Sequence, residues 1–311
     1  MDDILITDWN PEPEIKATML SHPVHKRKAE GDGYEFFALE LRLAKVLGTA
    51  VANVAKAALK EYDKITGLDG TKVDYSRKDA TKPFALAQAL ERLSPILRGA
   101  WTMGTDKSVT QLIDSLTSQG AIRAGDYAAF KRLPTRMTIE QGMVASAKYY
   151  TNNYFNRIVL PAMVEDINQK IASGEVMDDT FFRALRSTMD KRLKSVPYWR
   201  TVANQAASRS YHYGMTRAGL ASGYTGYRFT AVLDERTSAV CRHMHGKTFW
   251  LADAVNLLEK AARTAPEDAK DVMPWATMAT IKDMDDAMLA SSGFMVPPLH
   301  GNCRSTINLT R

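Results

Sequence analysis

The chain has 311 residues, long for one hydrophobic core and short for three, so two domains are the expectation. Hydrophobic residues at 45% and charged residues at 24% are ordinary globular proportions and exclude a disordered chain. Lys and Arg exceed Asp and Glu by 41 to 35, a mildly basic balance that permits a polyanionic partner without demanding one. The two cysteines, Cys241 and Cys303, are too few for a disulfide-framed secreted domain. The acidic start Met1-Asp2-Asp3-Ile4 lacks the basic and apolar regions of a signal peptide. The least polar stretch, Val46 to Leu59, is too short to span a bilayer, so a soluble, cytoplasmically made protein that needs no membrane to fold is expected.

Asp8 to Gly33 is polar, punctuated by Pro11, Pro13 and Pro23, and reads as an extended arm carrying the basic patch His25-Lys26-Arg27-Lys28. From Tyr34 the pattern changes. Phe37, Leu41, Ala44, Leu47 and Val51 recur at three- and four-residue steps and predict an amphipathic helix to Leu59. A loop follows from Gly67 to Lys82. Helical spacing resumes from Phe84 to Leu93, where Pro95 should end it, and again from Val109 to Leu116. Thr138 to Ile171 forms a long helical pattern with Pro161 as a kink. Asp178-Asp179 look like the N-cap of a helix holding Phe182, Leu185 and Met189, which Pro197 ends. A further helix runs from Tyr198 to Leu220.

The tail has a different texture. Tyr227 to Leu233 is aromatic and β-branched and predicts a strand; Gly246 to Trp250 predicts a second, short one. Leu251 to Ala262 is helical, a loop rich in Met, Pro and Asp follows, and the chain closes on Pro297 to Ile307. The expected architecture is mainly α: an arm over 1–33, a helical body over 34–197 and a small α+β module over 198–311.

The residues able to do chemistry cluster in that tail. Four of the six histidines lie beyond residue 200, and three of them flank the cysteines in Cys241-Arg-His243-Met-His245 and His300-Gly-Asn-Cys303. Two short segments that each supply soft or borderline ligands are the usual source of a zinc site. Cys241, His300 and Cys303, with His245 or His243 as the fourth, would complete one; packing of two small buried thiols is the competing reading. A Cys–His nucleophilic pair ranks below both, since no nucleophile signature surrounds either cysteine. No enzymatic activity is therefore expected.

Basic residues concentrate at Arg183, Arg186, Lys191, Arg192, Lys194, Arg200, Arg209, Arg217 and Arg228, with Asp190 the only acid in that window. Interleaved Tyr198, Trp199, Tyr211, Tyr213, Tyr224 and Tyr227 could stack on bases or simply pack. A nucleic-acid face and a solvated basic helix both answer to this pattern.

Three tail segments together resemble the tail signature of the phage Mu F-like head morphogenesis proteins. They are Asp234-Glu235-Arg236-Thr237-Ser238-Ala239-Val240-Cys241, then Gly246-Lys247-Thr248-Phe249, then Pro298-Leu299-His300-Gly301-Asn302-Cys303-Arg304-Ser305. The likeness rests on Asp234, Arg236, Thr237, Gly246, Pro298, His300, Cys303 and Arg304 standing in the right order. It implies a minor capsid protein of a tailed bacteriophage, present in few copies at the portal vertex. Such a protein enters the procapsid during assembly in the host cytoplasm, remains in the virion, and acts in genome packaging or ejection. The implied partners are the portal protein, other head proteins and packaged DNA. Two departures stand out. Ser238 and Ser305 occupy positions where the family often has cysteine, so one thiol is missing from each cluster. A four-cysteine zinc site would then be weakened unless His245 and His300 substitute. Upstream, Asn204-Gln205-Ala206 stands where the family often carries an Arg-Thr-Glu-like triplet.

Overall fold

The computed structural model describes residues 37–66, 93–154 and 197–311, with a few positions between 165 and 187. The arm over 1–33, the loop over 67–82, the periodic stretch over 84–92 and the caps at Asp178-Asp179 lie outside the described residues. The fold is mainly helical with one small antiparallel sheet near the C-terminus.

The periodic stretch after Tyr34 forms α1 (Phe37–Thr66), with Leu43, Leu47 and Leu59 on its buried stripe. Next comes α2 (Leu93–Ala124), which contains the predicted stretch from Val109 to Leu116 and extends well beyond it on both sides. Pro95 does not end a helix; it sits in the first turn of α2, where backbone N–H groups have no partner within the helix and a missing one costs little. A short helix, α3 (Tyr127–Lys131), starts at Asp126, whose Oδ1 accepts from the Ala129 N–H at 2.8 Å. Then follow α4 (Arg136–Tyr154) and α5 (Pro197–Ala221).

Backbone contacts divide the chain into two compact units. One comprises 45–109 and 148–199. Within it Arg186 clasps Asp63 through both carboxylate oxygens, at 2.7 and 3.0 Å, and Phe181 and Phe182 are buried. The other unit joins the stretch ending at Ala44 with 110–147 and 200–311 and holds the tail module.

In this second unit α5 is the central element. Its residues from Thr201 to Ala218 are buried around almost the whole circumference, among them Ala203, Ala207, Tyr211, Tyr213 and Ala218. A helix buried on all sides must account for its polar side chains. It does so locally: the Ser210 hydroxyl donates to the Ala206 carbonyl at 2.7 Å, and the Thr216 hydroxyl to the His212 carbonyl at 2.8 Å. Glycine sets how closely helices approach it. A Cβ on Gly120 would collide with the Tyr211 carbonyl, and one on Gly214 with the Thr117 carbonyl, so α2 and α5 cross backbone to backbone.

The sheet contains β1 (Gly226–Thr230), β2 (Thr248–Trp250) and β3 (Thr306–Thr310) in the order β2-β1-β3, both pairs antiparallel. Tyr227 stands opposite Phe249 and Leu309, and Phe229 opposite Ile307. These alternate positions bury one face, with the Tyr227 hydroxyl donating to the Met295 carbonyl at 2.9 Å. Leu251 and Leu309 pack against α5 at Gly219. The predicted first strand is shorter than expected, because Ala231 to Leu233 leave the ladder to enter a turn. β3 was not anticipated at all, although Thr306 to Thr310 alternates in the manner of a half-buried strand.

After β1 the chain forms α6 (Ala239–Met244), β2 and then α7 (Leu251–Arg263). The loop rich in Met, Pro and Asp contains three short helices, α8 (Ala269–Val272), α9 (Met278–Ile281) and α10 (Asp286–Ser291). Phe294, Met295 and Val296 then enter the core.

Candidate functional site: a cysteine–histidine cluster pinned by an Asp–Arg turn

Two segments build the site, the turn with α6 and the last loop before β3. Ser238 caps α6, its hydroxyl oxygen accepting from the Cys241 N–H at 3.1 Å. This fixes Cys241 in the first turn, pointing inward at 3% exposure. From the other segment Cys303 is wholly buried beside it. The intervening turn needs Asn302 in the left-handed region, φ 56°, and Gly301 lies against Trp275 and Thr201 where a side chain would crowd both.

The cluster is tight. The Cys241 and Cys303 sulfurs are 3.7 Å apart, the His300 Nε2 is 3.0 Å from the Cys241 sulfur, and the Ser238 hydroxyl is 2.8 Å from the same Nε2. On the far side of the ring, Nδ1 lies 2.8 Å from the Gly301 carbonyl oxygen. Only a protonated Nδ1 can bond to a carbonyl, and in the neutral ring this tautomer turns the Nε2 lone pair toward the Cys241 sulfur. The Asn204 amide donates to the Cys303 carbonyl at 3.1 Å and to Glu40 at 3.1 Å, tying this loop to α5 and α1.

The two thiols are not equivalent. The Cys241 thiol is pulled down to about 7 by a hydrogen bond from Cys303, with Ser238, Ser305 and the Arg304 charge adding to it against the effect of burial. Cys303, the donor in that bond and fully buried, is pushed well up. The first proton therefore leaves Cys241.

Beside the cluster, Asp234 organises the turn that delivers α6. Its carboxylate receives both guanidinium nitrogens of Arg304, Nη1 to Oδ2 at 2.8 Å and Nη2 to Oδ1. It also accepts from the Arg236 backbone N–H at 3.0 Å and from the Arg236 side chain at 3.1 Å. Thr237 closes the turn, its hydroxyl oxygen accepting from the Asp234 N–H at 2.9 Å and its hydroxyl donating to the Val232 carbonyl. Arg304, helped by Arg236 and Thr237, holds the Asp234 carboxyl far below the usual carboxylate range. Gly246 supplies the left-handed residue, φ 88°, that turns the chain from α6 into β2. Pro298, after Pro297 through a cis bond, leads into Leu299 and His300.

Among the described residues, Cys241, His300 and Cys303 have ligand atoms within 4.8 Å of one another. His245, expected as the fourth ligand, is elsewhere: it is exposed at the end of α6, and its Nδ1 accepts the Ala231 N–H at 3.1 Å. His243 does not join the cluster either. Ser238 and Ser305 do reach Cys241, a placement visible in the sequence only because they stand three before Cys241 and two after Cys303. A Cys241–His300 contact is also the first half of a nucleophile–base pair, with the Cys241 side chain itself buried.

The described residues of the basic window differ in their surroundings. Arg183 is exposed, Arg186 is engaged with Asp63, and Arg217 lies 3.6 Å from Glu259. Arg209 is half-buried on the core helix α5, which also carries Arg200. Lys191, Arg192 and Lys194 lie outside the described residues. Tyr211, Tyr213 and Tyr227 are fully buried core residues and present no ring to a base. Charge alone could not reveal this, because polar residues on α5 hide a helix buried all round.

Comparison with the curated proteins and with solved structures gave no match. A family model does match: residues 163–308 align with the family described as Phage Mu protein F like protein, covering the tail module and the segment before it. The matched stretch contains Asp234, Gly246, His300 and Cys303, and the C-terminal region of this chain, residues 163–308, is similar to the Phage Mu protein F-like family.

Proposed function

We propose that the chain is a head morphogenesis protein of a tailed bacteriophage, a minor component that joins the procapsid at the portal vertex and stays with the virion head. The observation that carries this reading is the match over residues 163–308 to the Phage Mu F-like family. The module's construction supports it. Its cysteine–histidine cluster is buried and pinned by an Asp–Arg turn, which suits a rigid docking unit better than a reaction site. No helix among the described residues is long and apolar enough to cross a membrane.

In this reading the chain acts through protein contacts during assembly, with the portal protein as principal partner and with other head proteins and packaged DNA as neighbours. Packaging or ejection of the genome is the step it serves. Co-expression with the cognate portal protein, followed by size-exclusion chromatography at micromolar concentration, tests it. Co-elution of the two chains at a fixed ratio is expected. Separate elution at that concentration would overturn the portal assignment.

A further inference from the structure

We propose that Cys241, Cys303 and His300 bind one zinc ion through three protein ligands, leaving the fourth coordination position open beside the Ser238 hydroxyl. The inference stands on side-chain geometry and is independent of the head-assembly reading.

Tetrahedral zinc with Zn–S bonds of about 2.3 Å sets its two sulfurs about 3.8 Å apart. The Cys241 and Cys303 sulfurs are 3.7 Å apart in the folded chain. A Zn–N bond of about 2.0–2.1 Å asks for a nitrogen about 3.6 Å from each sulfur, so the ring at 3.0 Å from the Cys241 sulfur must withdraw by roughly half an ångström. His300 is already in the tautomer a metal needs. Its Nδ1–H is held by the Gly301 carbonyl at 2.8 Å and its Nε2 faces the sulfurs, which is the outer-shell arrangement found around zinc-bound histidines.

The donor set also fits the ion. Two thiols and one imidazole match the soft-to-borderline preference of zinc and disfavour magnesium or calcium, which take oxygen ligands. Binding converts both thiols to thiolates and releases their protons to solvent, and the ion's two positive charges then offset two buried negative ones. The Ser238 hydroxyl, 2.8 Å from the same Nε2, lies where a fourth donor would come. An alcohol is a weak zinc ligand, so this position is held loosely or filled by a water that Ser238 orients. The bound ion would fasten α6 to the strand-forming C-terminal segment across 59 and 62 residues of chain.

The test uses full-length protein, stripped with chelator under reducing conditions and titrated with cobalt chloride, then displaced with zinc chloride. One equivalent of cobalt is expected to give the near-ultraviolet thiolate charge-transfer band and the visible bands of a tetrahedral ion. Zinc should abolish both. Cys303→Ser should weaken affinity at least tenfold. Ser238→Cys, which adds a third thiolate, should tighten zinc at least tenfold and strengthen the charge-transfer band. Circular dichroism checks that each variant is folded, and the Ser238→Cys arm stands even if removal of a cysteine unfolds the module. Absence of the cobalt bands at excess metal would overturn the proposal. So would a reduced chain that takes up no zinc after arriving with a Cys241–Cys303 disulfide, or a Ser238→Cys variant with unchanged affinity and spectrum.

Discussion

His212 should make the tail module acid-sensitive well above the carboxylate range. It sits at the centre of α5 with no exposed surface, its Nδ1 3.2 Å from the Ser208 hydroxyl and its Nε2 3.4 Å from the Thr306 hydroxyl. Burial lowers its pKa from the usual 6.5 to about 4, against smaller opposing effects from the backbone at Ser208 and Pro297. The native state therefore keeps the ring neutral while the unfolded chain protonates it at about 6.5. Its contribution is fully present above pH 6.5 and is lost as pH falls from there toward 4, because the unfolded state binds the extra proton. Each pH unit is worth about 1.4 kcal/mol, so roughly 2 kcal/mol should be gone by pH 5 and about 3 by pH 4. Against a typical total of about 5–15 kcal/mol this is a large share. Urea unfolding between pH 7 and 5 measures it, with His212→Gln as the reference that cancels other titrating groups. The native chain should lose about 2 kcal/mol relative to the variant over that interval. Parallel pH profiles would refute the assignment of a neutral, buried imidazole.

Other expectations follow from the packing and the turn. Gly214→Ala should destabilise by more than the roughly 1–3 kcal/mol of ordinary overpacking, since the methyl group would meet the Thr117 carbonyl and backbone must move; thermal unfolding reads it. Asp234→Ala removes the partner of Arg304 and the acceptor of the Arg236 N–H, and should cost about 2 kcal/mol, whereas Glu235→Ala at the exposed neighbour should be close to neutral by the same measurement. In metal-free protein, alkylation at neutral pH should be slow at both buried thiols and should mark Cys241 before Cys303, with peptide mapping as the readout.

The helical stripes were legible wherever apolar residues kept a 3.6-residue period, as from Phe37 to Leu59. Proline as a stop signal misleads at Pro95, which lies in the first turn of α2; first-turn proline looks the same in sequence as proline after a helix end. The burial of α5 was hidden for a different reason. Ser210 and Thr216 satisfy their hydroxyls on the preceding turn, so a core helix carries the composition of a surface one. At the site, the sequence grouped Cys241 in one short segment and His300 and Cys303 in another, and the structure brings these three together. The fourth position was not decidable from spacing, because His245, four residues after Cys241, sits past the helix end and turns back to the Ala231 N–H. Asp234 and Arg304 are 70 residues apart, and only the antiparallel pairing of β1 with β3 explains why they meet.

The proposal that this chain is a phage head protein at the portal vertex rests on the similarity of residues 163–308 to the Phage Mu F-like family. The most direct measurement is quantitative mass spectrometry of purified procapsids, combined with immunogold labelling of the intact particles. The account predicts a few copies per procapsid, recovered with the portal protein and labelled at a single vertex. Absence from procapsids, or label spread evenly over the shell, would contradict it.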